Sequence, residues 1–484
     1  MLLRFDYDVL STIARELSSL VANGHGRLGQ RSLLYLSMTC RSIHGMIAPK
    51  FLLARVYLTT TKALETFCSV VVQHPAAGNA VRDLYIDFGS DPSLPPLVFS
   101  PLLLGKFADA LEKMREIRSL KADAYRLLHK YEPRISKGLI PHIAHRLRTL
   151  CLDDCSRVSL EPLRGLGQMR VLAIAMAGKA YSLTPESAVG TLVLGSQSTL
   201  EELWLRNMTW CLDRPSKETP RAPGGRSSCI WARVHTLQLD GMQFDDNFNF
   251  SRAFPSVRCC GLSLESNFWR VHPCNRPFLA KLEAIDGDWP EVHAAHDAGA
   301  KLRRAALMDA PSPPLPGFDF RTYFTDSLRS LAMNIDQPLS FDCLDQLHAV
   351  TPNLTYLAVV LEAGSELDSL PAQMEIISAS VFRLPLTFIM IRWMPGIIAP
   401  MVVSTLGQKA HSCSAALLES AQKQCPTLKA VIIQEKSWQK VFDKEGSHFE
   451  EIKEEDSDEL VHLVRLSDWQ WWEGNAECLD GILA

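Results

Sequence analysis

The sequence predicts an α/β protein in which a small N-terminal helical module leads into a long, irregular solenoid of short parallel strands. Three observations predict it. A six-residue apolar pattern recurs along most of the chain, the segments between its copies carry helical spacing, and residues 5–22 and 32–48 hold two helical stripes that stop at Pro49. Immediately after that proline, "FLLARVYL" switches to alternation, as a strand does.

In the helical module, assigned to residues 1–52, Val9, Leu10, Ile13, Leu17 and Leu20 form one stripe, and Leu33, Leu34, Leu36, Cys40 and Ile43 form the next. So short a segment builds little core of its own, so part of its apolar surface is expected to rest on the following array or on a partner.

The array is assigned to residues 53–440. Its pattern, apolar-x-x-apolar-x-apolar, reads "LARVYL", "VRDLYI", "LRTLCL", "MRVLAI", "LEELWL", "VHTLQL", "VRCCGL", "LRSLAM", "LTYLAV", "LTFIMI" and "LKAVII", with weaker copies "IRSLKA", "LAKLEA" and "LRRAAL". Taking the fourth residue as anchor, from Val56 to Val431, the mean spacing is about 29 residues, inside the range of leucine-rich repeats. In such a unit the apolar pair faces inward from a short strand, and neighbouring units cover each other. "TKALETFCSVVVQ" and "SPLLLGKFADALEKM" have the helical spacing of return segments. Residues 212–230 and 309–318, rich in proline, glycine or serine, read as loop insertions. Residues 441–484 read as an acidic loop followed by a tryptophan-bearing cap with Trp469, Trp471 and Trp472.

Composition narrows the function. At 484 residues the chain exceeds a single core, and 21% charged residues with a net charge of -4 give no global electrostatic case for nucleic acid or an anionic membrane. Thirteen cysteines without a framework of recurring spacings suit a reducing compartment, cytoplasmic or nuclear. Asp6 and Asp8 disfavour a secretory signal, and the apolar run 384–406, broken by Pro385, Pro395 and Pro400, reads as a buried strand and turn rather than a membrane span.

The order "FDYDVLxxIAxxL", "LLYLSMTCRSIH" and "PKFLLARVYL" resembles an F-box, and its position ahead of the array is similar to leucine-rich F-box proteins of mushroom-forming fungi, whose tryptophan-bearing C-termini "LSDWQWWEGNAECL" also resembles. The resemblance implies a substrate adaptor that binds a Skp-type linker and its cullin complex, plus a target protein. Carried over, the linker positions are Phe5, Val9, Leu10, Ile13, Leu17, Leu33, Leu36, Cys40 and Ile43, some of which must form the module's own core. The alternative is a non-catalytic repeat scaffold whose first helices are only a cap. An α/β enzyme is a third reading.

Motifs for chemistry are weak. "GHGRLG" fits the dinucleotide template but follows a helix and lacks the later acid. His142 with His145, and His293 with His296, lack a third and fourth metal ligand, so neither cofactor nor metal is expected. Alternation instead exposes Tyr85, Asp87, Lys121, Asp123, Asp153, Trp204 and Arg206 on the strand face opposite the inward pair. The acidic column there, and the Trp204/Arg206 pair, suit a target with a basic patch.

Overall fold

A computed structural model describes residues 7–22, 26–86, 100–143, 145–178, 181–213, 229–264, 268–307, 319–335, 344–363, 379–395, 417–421, 423–435, 439–445 and 448–451. The fold is mixed α/β. The chain divides into two compact units, Met1–Ala22 with Gly26–Phe278, and Leu279–Ala484 with Asn23–His25.

The first unit opens with helices α1 (Tyr7–Ala22), α2 (Gly26–Met38) and α3 (Arg41–Ile47), continued by a π-helical turn at Ala48–Leu52. Its strands are β1 (Arg55–Leu58), β2 (Asp83–Ile86), β3 (Ser119–Ala122), β4 (Thr149–Cys155), β5 (Val171–Met176), β6 (Tyr181–Leu183), β7 (Glu202–Arg206), β8 (Met208–Trp210), β9 (Thr236–Met242) and β10 (Cys259–Leu264). All except β6 and β8 pair in parallel in sequence order, and the residues in register are Val56, Leu84, Leu120, Leu150, Leu172, Leu203, Leu237 and Cys260. Each of these is a pattern anchor, so the recurrence in the sequence is one buried rung repeated from strand to strand. β6 and β8 form a separate parallel pair, which the sequence pattern does not announce.

Return segments form the second layer. Helix α4 (Thr61–Gln73), followed by α5 (Pro75–Ala80), packs on α6 (Pro101–Leu111), which packs on α8 (Pro133–Ile143), the helix after α7 (Tyr125–Tyr131). Thr60 caps α4, its Oγ1 accepting from the Ala63 N–H at 3.1 Å, and Leu64, Phe67, Cys68 and Val71 form its buried face. A left-handed residue recurs four places past an anchor: Ala124, Asp154, Asn207 and Gly241 have φ of 51°, 51°, 58° and 57°, Ala124 and Asn207 just after β3 and β7, Asp154 and Gly241 near the ends of β4 and β9. Trp210, Trp231, Phe248, Phe250 and Phe254 form a ring-on-ring aromatic core beyond β8.

In the second unit, β11 (Ala284–Gly287), β12 (Arg304–Leu307), β13 (Ser330–Ile335), β14 (Tyr356–Ala363), β15 (Phe388–Pro395) and β16 (Ala430–Glu435) are parallel, with Ile285, Ala305, Leu331, Leu357, Ile389 and Val431 in register. The expected anchor Leu282 is displaced by three residues, because "LAKLEA" and the overlapping "LEAIDG" share Leu282. β15 lies in the apolar run 384–406, and among the described residues no helix is long and apolar enough to cross a membrane. The acidic stretch expected to be a loop begins instead as an antiparallel hairpin, β17 (Gln439–Glu445) and β18 (His448–Glu451), with β17 on β16. The expected C-terminal cap, with Trp469, Trp471 and Trp472, lies outside the described residues.

Candidate functional site

Two surfaces of the first unit carry the expected site residues. The first is the helical module, where Leu10, Ala14, Leu33, Ile43 and Ile47 form a closed core with Leu17, Leu36, Cys40, Phe51 and Leu52 packed against it. That divides the expected linker set, some of which must form the module's own core: Leu10, Leu33 and Ile43 lie in that core, on the inner side of a helical stripe wide enough to seal three helices. Cys40 caps α3, its Sγ accepting from the Ile43 N–H at 3.5 Å. Phe5 lies outside the described residues. Val9 and Ile13 do face outward, and they are joined by side chains absent from the expected set: Leu34, Tyr35 at 67% exposure and Met38 at 71%.

The second surface is the sheet face opposite the return helices. Alternation places Tyr57, Tyr85, Lys121, Cys151, Ala173, Trp204, Gln238 and Gly261 in one row across β1 to β10. Tyr57 and Tyr85 stack with centroids 4.5 Å apart, and the Lys121 ammonium lies 5.2 Å from the Tyr85 ring. Beside them Arg55 pairs with Asp83 at 3.0 Å. Burial pushes the Tyr57 hydroxyl up to about 12 and raises Tyr85 in the same direction. Burial likewise pushes the Cys151 thiol up to about 11, away from the thiolate form.

Of the expected acidic column, Asp87 lies outside the described residues, Asp123 is half-buried, and Asp153 sits in a bulge where it and Asp154 stand against the single Ala175 of β5. There Asp153 accepts the Asp154 N–H at 2.7 Å, and Asp154 pairs with Arg126 at 3.2 Å. Trp204 is 37% exposed, and Arg206 pairs with Asp240 of β9 at 2.9 Å. The Gln238 amide lies where a Cβ on Gly261 would stand, so a side chain on that rung would have to displace the flexible end of Gln238. Beside this face, at β1 and α4, Leu53, Val56, Phe67 and Val70 line a groove of about 510 Å³.

The remaining motifs are accounted for locally. Gly26–Gly29 of "GHGRLG" begins α2, the His145 ring accepts from Arg146 Nε at 3.0 Å, and His293 contacts Asp297 at 3.2 Å. No three potential metal ligands converge among the described residues. Comparison with protein-family models and with curated proteins found no match.

Proposed function

We propose that the chain is a substrate-recognition adaptor of a cullin-RING ubiquitin ligase of the SCF type, its first helices an F-box that engages a Skp-type linker and its strands a leucine-rich-repeat array that holds the target. The observation that carries this reading is the surface of the helical module: with its core already closed, it still presents Val9, Ile13, Leu34, Tyr35 and Met38 to water. Covering a large apolar side chain is worth roughly 1.5–3 kcal/mol, so a partner on this surface has a substantial driving force. The in-register anchors support the repeat reading, and the Tyr57/Tyr85/Lys121 and Trp204/Arg206 clusters are the candidate target contacts. Function then rests on proximity, which raises the target's effective concentration at the ligase without covalent chemistry in this chain.

The test is co-purification of the full chain with a fungal Skp-type linker. Tyr35→Asp with Met38→Asp, both on exposed positions, should abolish a stoichiometric complex while the circular dichroism spectrum is retained. A folded wild-type chain that captures no linker replaces the adaptor with a scaffold capped by its first helices.

A further inference from the structure

Arginine is the second residue of the apolar pattern at four successive strands, as Arg82, Arg118, Arg148 and Arg170. Each lies two residues before an anchor, where the backbone ladder begins. Arg118 N–H donates to the Arg82 carbonyl at 2.6 Å, Arg148 N–H to Arg118 at 2.8 Å, and Arg170 N–H to Arg148 at 2.7 Å. Adjacent strands are spaced by about 4.8 Å, less than the length of an arginine side chain, so these guanidiniums share one rim of the sheet.

Their charges are unevenly balanced. At the β7 entry the corresponding residue is Glu201, which accepts from Arg170 at 2.6 Å and from Arg233 at 3.0 Å. At the β2 to β4 entries two carboxylates are near: Glu116, 3.9 Å from Arg82 and paired also with Arg146, and Asp83, which is paired with Arg55. Arg82 and Arg148 spend Nη1 on carbonyls of their own turns, and Arg118 is exposed with no side-chain hydrogen bond among the described residues. Arg82 is held below its ordinary value by burial and then by the charges of Arg118 and Arg146, against a smaller opposite pull from Asp83.

We propose that this arginine rim, at the entries to β2, β3 and β4, is a docking site for an acidic, extended peptide segment. Guanidinium forks match carboxylates in a bidentate fashion, and three strand entries span about 10 Å, the reach of roughly three extended residues. Nucleic acid fits less well, since its binders typically neutralise about six to ten phosphates along a longer track. The inference is independent of the linker, because it concerns a different surface and a different chemistry.

Fluorescence anisotropy on the full chain tests it with a labelled peptide of alternating glutamate and serine, its glutamine counterpart, and a twenty-nucleotide oligothymidylate, about 20 units long to exceed the rim. The glutamate peptide should bind and weaken as salt rises from about 50 to 200 mM, while the glutamine peptide should not bind. Arg118→Glu should weaken binding by about tenfold or more, and Arg321→Glu, in the second unit, should leave it unchanged. Equal affinity for wild type and Arg118→Glu, or no binding of the glutamate peptide by wild type, overturns the proposal. Tighter binding of the oligonucleotide than of the peptide overturns it in favour of nucleic acid.

Discussion

The strands of the two units share one ladder rule and use their second face differently. In the first unit the alternate row holds Tyr57, Lys121 and Trp204, all exposed. In the second, the corresponding Ala306, Ala358, Met390 and Ile432 are buried, as are the stacked Tyr356 and Phe388, whose rings lie 5.2 Å apart two positions earlier on the same face. Anchors therefore define the sheet, and the alternate residues decide whether a strand is a surface or the middle of a core. "DLYI" alternates, whereas "FIMI" is apolar throughout, as a strand covered on both sides must be. The exposed aromatic and charged side chains of this row accordingly lie on the first unit.

The sharpest way to break this comparison is to truncate equivalent rungs. Ile432→Ala should lose about 2–5 kcal/mol in urea denaturation, and Lys121→Ala should change stability by about 0.5 kcal/mol or less. Equal losses would mean the two faces do not differ. A second contrast is alkaline. Cys68, fully buried in α4, has its thiol pushed by burial from 9.0 up to about 12. A group whose value is raised on folding contributes fully below pH 9 and loses that contribution as pH rises toward 12. The urea midpoint should therefore fall across that window, by an amount worth a few kcal/mol, and Cys68→Ala should flatten the fall at the cost of a lower starting stability. Next in size, Tyr57→Ala should cost about 0.5–1.5 kcal/mol through its stack with Tyr85, visible as a lower thermal midpoint. The last effect has the opposite sign. Ala124→Gly relieves a left-handed alanine and should raise stability by about 0.5–1 kcal/mol, measured in the same melts.

The strands were largely legible because each rung demands an apolar residue at two fixed offsets, and all copies of the pattern but one have their anchor in the ladder. The slip at Leu282 shows the limit: the residue three places before an anchor is itself buried, so two overlapping frames satisfy the same pattern. The α4 helix was legible from its spacing, whereas the β17/β18 hairpin was hidden by its acids. On the candidate surfaces, Trp204 and Arg206 follow from alternation alone. The division of Val9 and Ile13 from Leu10 and Leu33 does not, since periodicity identifies a stripe and only three-dimensional packing says which edge remains outside. The bulge at Asp153 and Asp154 was equally silent, being a one-residue insertion that leaves the apolar pattern intact.

The constancy of the anchor rung has an evolutionary corollary. From Leu150 to Leu172 the chain takes 22 residues to return, and from Ile389 to Val431 it takes 42, yet both arrive at the same register. Lengthening a connector costs little, about 0.6 kcal/mol per doubling, and displaces no rung. Insertions and deletions between anchors are thus nearly neutral raw material. A lineage can remodel the contour and reach of such a protein by changing connector length alone, while the substitutions it must resist are confined to a few positions in every strand.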